Sequence, residues 1–299
     1  PGSYLIGDFN NNEIKISERT YWNFEEVSDP TFLDNHEDLL EKELYNVIDQ
    51  QLISDRNLGC FLSGGIDSSL ISSIASKLKE DLSTYTISFD NSSYDESEKA
   101  KKVANILGTH HHTINFTSKN LLDSVPQISQ VYDEPFADKS MLPTMLLCKS
   151  VKQKGSIVNL TGDGGDELFA GYNRYKYLNL FTYLRNILKV LSILGIRFPS
   201  VSSSNKSFTD TVRWINLSIN SSIKTDHLNL YFSILNKTQN KFLMHSKFYS
   251  EFIEDKNLDI PLIEKFMIFD FKNYLSNDIL VKTDRASMFN GMELRAPLL

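Results

Sequence analysis

Apolar and polar positions change their period several times along the 299-residue chain. Residues 3–17, "SYLIGDFNNNEIKIS", alternate on either side of an Asn-rich turn, which predicts a β-hairpin. Two strands are too few to stand alone, so the hairpin belongs to something larger. Between 36 and 53, Leu40, Leu44, Val47, Ile48 and Leu52 recur at helical spacing and predict an amphipathic helix. A regular alternation follows. Strand-like runs at 58–62, 84–89, 112–116 and 156–161 are separated by helical patterns, among them Ala100, Val103, Ala104 and Leu107, with Gly108 placed to end that helix. Strand and helix alternating in this way predict an α/β fold, a doubly wound parallel sheet. Beyond Tyr175 the pattern is mostly helical, and no further strand is expected. Ligands of such sheets sit beyond the carboxyl ends of the strands, where both glycine-bearing loops of this chain fall.

Composition narrows the class of ligand. With 41% hydrophobic residues the chain can bury a sizeable core, and a net charge of −7 argues against nucleic acid or an anionic membrane as partner. A small, charged substrate is the better expectation. Cys60 and Cys148 both lie in apolar segments, as expected of reduced core thiols in a cytoplasmic protein. The most membrane-like stretch, 178–198, is interrupted by Arg185, Lys189 and Arg197 and reads as an amphipathic helix rather than a span. A Ser-rich loop is expected at 200–207.

The chemistry begins at "FLSGGIDSS" (61–69), set between a short apolar strand and a helix whose apolar face is Leu70, Ile71, Ile74, Ala75 and Leu78. A helix start there carries free backbone N–H groups, Gly64 and Gly65 let the backbone come close to a ligand, and Ser63, Ser68 and Ser69 add hydroxyl donors. The combination fits an anion such as a polyphosphate; a tight strand-to-helix turn capped by Asp67 or Ser68 is the plainer alternative. The loop lacks the lysine of a Walker loop, so the phosphate charge calls for a metal, and Asp67 is placed to hold one. A second loop, "TGDGGDELFAGYNRY" (161–175), packs Asp163, Asp166 and Glu167 among glycines that include Gly162. Carboxylates so crowded repel one another unless a cation is shared. Taken together, the two loops favour a Mg2+–nucleotide site over a Ca2+ loop or a solvated turn.

Four blocks, "FLSGGIDSS" (61–69), "YTISFDNSSYDESEKAKKVANILGTHHH" (85–112), "DEPFADKSMLPTMLL" (133–147) with "TGDGGDELFAGYNRY" (161–175), and "LVKTDRASMFNGMELRAPLL" (280–299), cover most of the chain. In this order they resemble the synthetase domain of glutamine-dependent asparagine synthetases, members of the PP-loop ATP pyrophosphatase superfamily with its adenine nucleotide α-hydrolase-like fold. The resemblance implies a ligase that uses ATP and Mg2+ to make β-aspartyl-AMP and pyrophosphate, then asparagine and AMP with glutamine-derived ammonia. By the same resemblance Leu62, Ser63, Gly64, Gly65, Asp67, Ser68, Ser69, Ile87, Thr161 and Gly162 match ATP-binding positions, and Asp67 and Asp166 the carboxylates that hold Mg2+. Asp163 matches a position tied to formation of the acyl-adenylate, where some members carry Glu; Asp284 and Glu293 match acidic positions that face the acceptor in a lactam-forming branch. For the last two, ion pairing with Arg285 or Arg295 is the competing role.

The resemblance also implies an organisation: residues 1–27 as the remnant of a glutaminase domain and 28–299 as a synthetase domain truncated at its C-terminus, with a homodimer compatible with the complete enzyme. The terminal cysteine of the glutaminase and a lysine of the synthetase reaction both fall outside this stretch. The chain is accordingly expected to be a fragment that is inactive alone. Two other readings stay open at the level of sequence: amidation of another carboxylate, such as a sugar acid in surface polysaccharide assembly, and a degenerate nucleotide-binding scaffold. His110, His111 and His112 read as the start of an edge strand rather than a metal cluster.

Overall fold

The computed structural model describes residues 2–10, 13–23, 35–90, 95–175, 190, 194 and 260–299. The predicted amphipathic stretch at 178–198 and the Ser-rich loop at 200–207 lie, but for residues 190 and 194, outside the described residues. The chain divides into two compact units, one of residues 1–163 with 276–299 and one of residues 164–275.

The first unit opens with the hairpin, β1 (Ser3–Asn10) and β2 (Glu13–Thr20), paired antiparallel with Phe9 opposite Ile14. Helix α1 (His36–Gln51) follows, as its apolar spacing predicts. The strands β3 (Leu58–Phe61), β4 (Ser83–Phe89), β5 (His110–Phe116) and β6 (Val158–Leu160) are all parallel. They are joined through α2 (Ile66–Leu78), α3 (Ser97–Leu107), the short α4 (Ser118–Ser124) and α5 (Ile128–Tyr132), and α6 (Met141–Gln153). Helix α3 ends as expected at Gly108, whose φ of 69° lies in the left-handed region that glycine enters without strain.

One expectation is corrected. Strands do not cease after Tyr175: β7 (Glu293–Arg295), preceded by α9 (Leu280–Phe289), joins the sheet parallel to β6, with Arg295 opposite Leu160. The five-stranded order is β5-β4-β3-β6-β7. The three histidines open β5, an edge strand, as predicted. The main core packs α6 and α9 on the sheet, with Tyr85, Phe116, Met145, Cys148, Val151 and Ala286 buried. Cys60, in the middle of β3, is fully buried.

The topology places the ligand end of the sheet. From β3 the chain winds outward through β4 and β5, then returns to β6 on the other side of β3, so the winding reverses between β3 and β6. The loops leaving these neighbouring strands splay apart there, which is where open α/β sheets hold their ligands. They are the two glycine loops, 62–65 and 161–164.

The second unit, among its described residues, contains α7 (Gly165–Leu168) and α8 (Leu262–Phe269); a π-helical stretch, Asp270–Ile279, begins where α8 ends, and its residues from Ser276 on belong to the first unit. Its best-buried polar group is Asp270, whose Oδ2 accepts from Arg174 Nη2 (2.7 Å) and Nε (3.1 Å) and from the Tyr175 hydroxyl (2.5 Å). No helix among the described residues is long and apolar enough to cross a membrane.

Candidate active site

A cavity of about 400 Å3 opens beyond the ends of β3, β4 and β6. Leu62, Ser63, Gly65, Asp67, Ser68, Ile87, Thr161, Gly162 and Asp163 line it, so most of the residues expected to bind ATP share one space. Gly64 and Ser69 stand outside its wall. Gly64 serves the loop differently: its φ is +79°, and a Cβ there would lie 2.7 Å from the Ala100 backbone nitrogen and 2.8 Å from Lys99 Cβ. The turn fits against α3 only without a side chain.

The serine hydroxyls build the loop as well as face the cavity. Ser68 Oγ accepts from the Ser63 N–H (3.2 Å), lies 2.9 Å from Ser63 Oγ and donates to the Gly65 carbonyl (3.3 Å). Helix α2 starts from Gly65, which brings no side chain to cap its first N–H groups, and Ser68 Oγ is engaged with Ser63 and the Gly65 carbonyl. An uncapped start of this kind is suited to an anion from outside. The second loop meets the first closely: a Cβ on Gly162 would stand 2.9 Å from the Ser68 nitrogen and 3.1 Å from Asp67 Cβ.

Asp163 occupies the junction of two spaces. Together with Thr161 and Thr283 it lines the first cavity and also a second one, of about 470 Å3, whose wall includes Asp284, Glu293 and Arg295. Thr161 Oγ1 donates to Asp163 Oδ2 at 2.9 Å, and the Thr161 N–H is tied to the Arg295 carbonyl at 2.8 Å, which continues the β6–β7 pairing. Burial pushes the Asp163 carboxyl above the ordinary carboxylate range, against the pull of the Thr161 hydroxyl and the Lys282 charge. The group therefore holds a proton more readily than a surface aspartate.

The competing ion pairs are resolved individually. Arg295 Nε donates to Glu293 Oε1 at 2.6 Å, while its Nη1 holds the Gln51 and Ile53 carbonyls after α1. Glu293 is thus a paired carboxylate whose side chain stays half exposed. Arg285 pairs with Asp133 rather than with its neighbour Asp284. Asp166 belongs to the second unit, where burial raises its carboxyl and Arg174 opposes the shift; Glu167, beside it, is buried and bonded to the Tyr172 hydroxyl.

The donors suit Mg2+ in kind. Asp67 and Asp163 give the first cavity two carboxylates, and among the described residues no group of three or more His, Cys, Asp and Glu gathers into a preformed metal cage. Mg2+ is commonly held by one or two carboxylates with the substrate's phosphates completing the shell. Sequence reading missed Lys282, which reaches the same cavity from α9. Its only local signal was a basic residue one turn into a helix, far along the chain from the glycine loop.

Comparison with known proteins decides the family. Residues 39–299 match the model of the family described as asparagine synthase. The chain belongs to the asparagine synthase family. It is 30% identical over 312 residues to "Asparagine synthetase [glutamine-hydrolyzing] 1" of Bacillus subtilis, which covers 95% of the chain and 45% of that protein. A relative from Methanocaldococcus jannaschii is 30% identical over 317 residues, covering 97% of the chain and 56% of that protein. The chain thus spans about half the length of these asparagine synthase relatives. Among solved structures, an NH3-dependent NAD synthetase from Campylobacter jejuni matches 83% of this chain and 96% of its own, at 16% identity and a TM-score of 0.36.

Proposed function

We propose that this chain is the ATP-using part of an enzyme that amidates aspartate to asparagine through β-aspartyl-AMP. The observation that carries the reading is the position of Asp163 on the wall common to both cavities, one built by the glycine loops and the other by Asp284, Glu293 and Arg295. A nucleotide in the first and an acceptor carboxylate in the second would meet at that wall.

The uncapped start of α2, with Ser63, Gly65 and Ser68, would grip the pyrophosphate end, and Leu62, Ile87, Thr161 and Gly162 the adenosine end. The aspartate β-carboxylate oxygen attacks the α-phosphorus, the bond from that phosphorus to the bridging oxygen breaks, and pyrophosphate leaves. Ammonia then attacks the acyl carbon, the carbon–oxygen bond to AMP breaks, and the nitrogen gives up a proton. Mg2+, held by Asp67 on the cavity wall, would offset the negative charge gathering on the pyrophosphate. Little covalent help is needed at phosphorus, so positioning and charge do most of the catalysis.

Asp163 Oδ2 is occupied by the Thr161 hydroxyl, which leaves Oδ1 to face a reacting group. With its proton affinity raised by burial, that carboxyl is suited to take up the proton released by the attacking ammonia. Asp284 and Glu293 would receive the acceptor's ammonium group. Ammonia would derive from glutamine in the whole enzyme, of which residues 1–27 form the end of the glutaminase part.

The test is incubation of the full-length protein with ATP, Mg2+ and ammonium or glutamine, with either aspartate or a uronic acid as acceptor. The expected result is equal release of AMP, pyrophosphate and asparagine, dependent on aspartate. AMP release that follows the uronic acid instead overturns the acceptor assignment, and ATP binding without pyrophosphate release makes the chain a scaffold.

A further inference from the structure

The glycine loop carries no lysine, yet a lysine stands in its cavity. Lys282 comes from α9, more than two hundred residues beyond the loop, and lines the same space as Ser63, Gly65 and Asp67. Its ammonium is held rather than loose. Nζ donates to Asp138 Oδ2 at 3.0 Å and to Ser140 Oγ at 2.8 Å, and both charged side chains are nearly withdrawn from solvent, at 12% and 11% exposure.

The clamp is itself braced. Asp138 Oδ1 accepts from both the N–H and the hydroxyl of Ser140, each at 2.6 Å, so the serine hydroxyl receives from the lysine and passes its own proton bond to the aspartate. Burial pushes the Asp138 carboxyl up, but the two Ser140 bonds and the Lys282 charge outweigh it and hold it below the ordinary range, ionised. Asp278, in the π-helical stretch, is shifted the other way, by burial first and then by the Asp138 charge. Its carboxyl lies beside that of Asp138 and holds a proton more readily than an exposed aspartate.

We propose that Lys282 is the fixed cation of the nucleotide cavity, contacting the polyphosphate, and that Asp138 and Ser140 are positioning residues that hold its ammonium at the cavity wall. Three arguments carry this. A lysine ammonium has three N–H donors and the clamp takes two, which leaves one for a ligand oxygen. An ion pair so shielded adds little stability over an apolar replacement, so its structural value alone is small. The Lys282 charge is also felt at Asp163, on the same wall. The cavity therefore replaces the loop lysine of a Walker site with a lysine delivered from another element and aimed by a carboxylate.

The proposal rests on the nucleotide reading of the cavity, and direct binding separates the two. ATP, inorganic pyrophosphate and adenosine are titrated calorimetrically, with Mg2+, into the full-length protein and its Lys282→Met, Asp138→Asn and Ser140→Ala variants, each first checked for an intact thermal transition. Lys282→Met keeps the apolar stem and removes the charge. It is expected to weaken ATP and pyrophosphate about tenfold or more, the loss of one charge-assisted contact, while adenosine is unchanged. Asp138→Asn and Ser140→Ala should each weaken the same two ligands severalfold and spare adenosine. Unchanged pyrophosphate affinity in Lys282→Met overturns the proposal and leaves the nucleotide site standing, as does a loss shared equally by adenosine, which marks a purely structural role. Wild-type protein that binds none of the three ligands overturns the nucleotide reading, and this inference with it.

Discussion

Thr161 and Asp163, two residues apart at the end of β6, are joined by a hydrogen bond from hydroxyl to carboxylate of 2.9 Å. Thr161 is fixed to β7 through its backbone, so the carboxyl is oriented by the sheet and not by the loop that follows. The cost of this placement is a buried carboxyl whose proton affinity is raised.

Replacing Asp163 by Asn should separate stability from activity. A carboxyl raised in the folded state contributes stability below its ordinary unfolded value, and that contribution is lost as pH rises through the folded value. Asn does not titrate, so thermal melts should show the variant at least as stable as the wild type at neutral pH. Its advantage should shrink as pH falls toward the ordinary carboxylate range. Aspartate-dependent AMP release should fall by roughly a hundredfold or more, the usual scale for a lost proton acceptor. A variant less stable at neutral pH and unchanged in rate would contradict both halves.

Gly64→Ala should damage nucleotide binding although Gly64 does not line the cavity. The left-handed φ of +79° costs a side chain about 1–2 kcal/mol, and the approach to the Ala100 nitrogen at 2.7 Å leaves a Cβ no room. The loop must move away from α3 or the fold must absorb the strain. Urea denaturation should show a loss of at least about 2 kcal/mol, with weaker ATP binding measured in the same preparation. Retained stability with unchanged ATP affinity would show that the loop tolerates the methyl group.

How far the chain announces this arrangement depends on how local each feature is. The hairpin, α1, β3 to β5 and the Gly108 stop are written in short-range periodicity and appear where that periodicity places them. Strand β7 was missed because "ELR" has three residues and no alternation of its own; it becomes a strand only because β6 offers an open edge. The glycine loops were legible since glycine pairs between strand and helix have few other uses, and the cavity gathers most of their residues. Lys282 was not, because nothing within α9 signals that a distant carboxylate at Asp138 awaits its ammonium. Pairing across such a separation is a property of the fold, and periodicity carries none of it.

The cysteines should be chemically silent. Burial pushes the Cys60 thiol up to about 12, and likewise that of Cys148, so at neutral pH neither supplies thiolate to an electrophile. Native protein treated with iodoacetamide should show no modification of these two residues by mass spectrometry, and both should react fully in denaturant. Rapid labelling of either one in native protein would mean that the core around β3 or α6 opens far more readily than its packing suggests.

Asp270 should be costly to remove among the described residues of the second unit. Its side chain is fully buried, and one carboxylate oxygen receives both Arg174 contacts and the Tyr175 hydroxyl. The guanidinium is also stacked 3.7 Å from the centre of the Tyr172 ring and 5.0 Å from that of Tyr274, so it cannot swing out to water without dismantling the aromatic cluster. Asp270→Ala therefore removes one partner of a buried ion pair, a change that typically costs about 3–5 kcal/mol. Asp270→Asn keeps the volume and one acceptor and should cost less, while Arg174→Met with Asp270→Leu, removing both charges, should recover much of the loss. Chemical denaturation of the three variants checks the order. If the double variant is no more stable than Asp270→Ala, the cost lies in lost packing around Tyr175 and not in the broken ion pair.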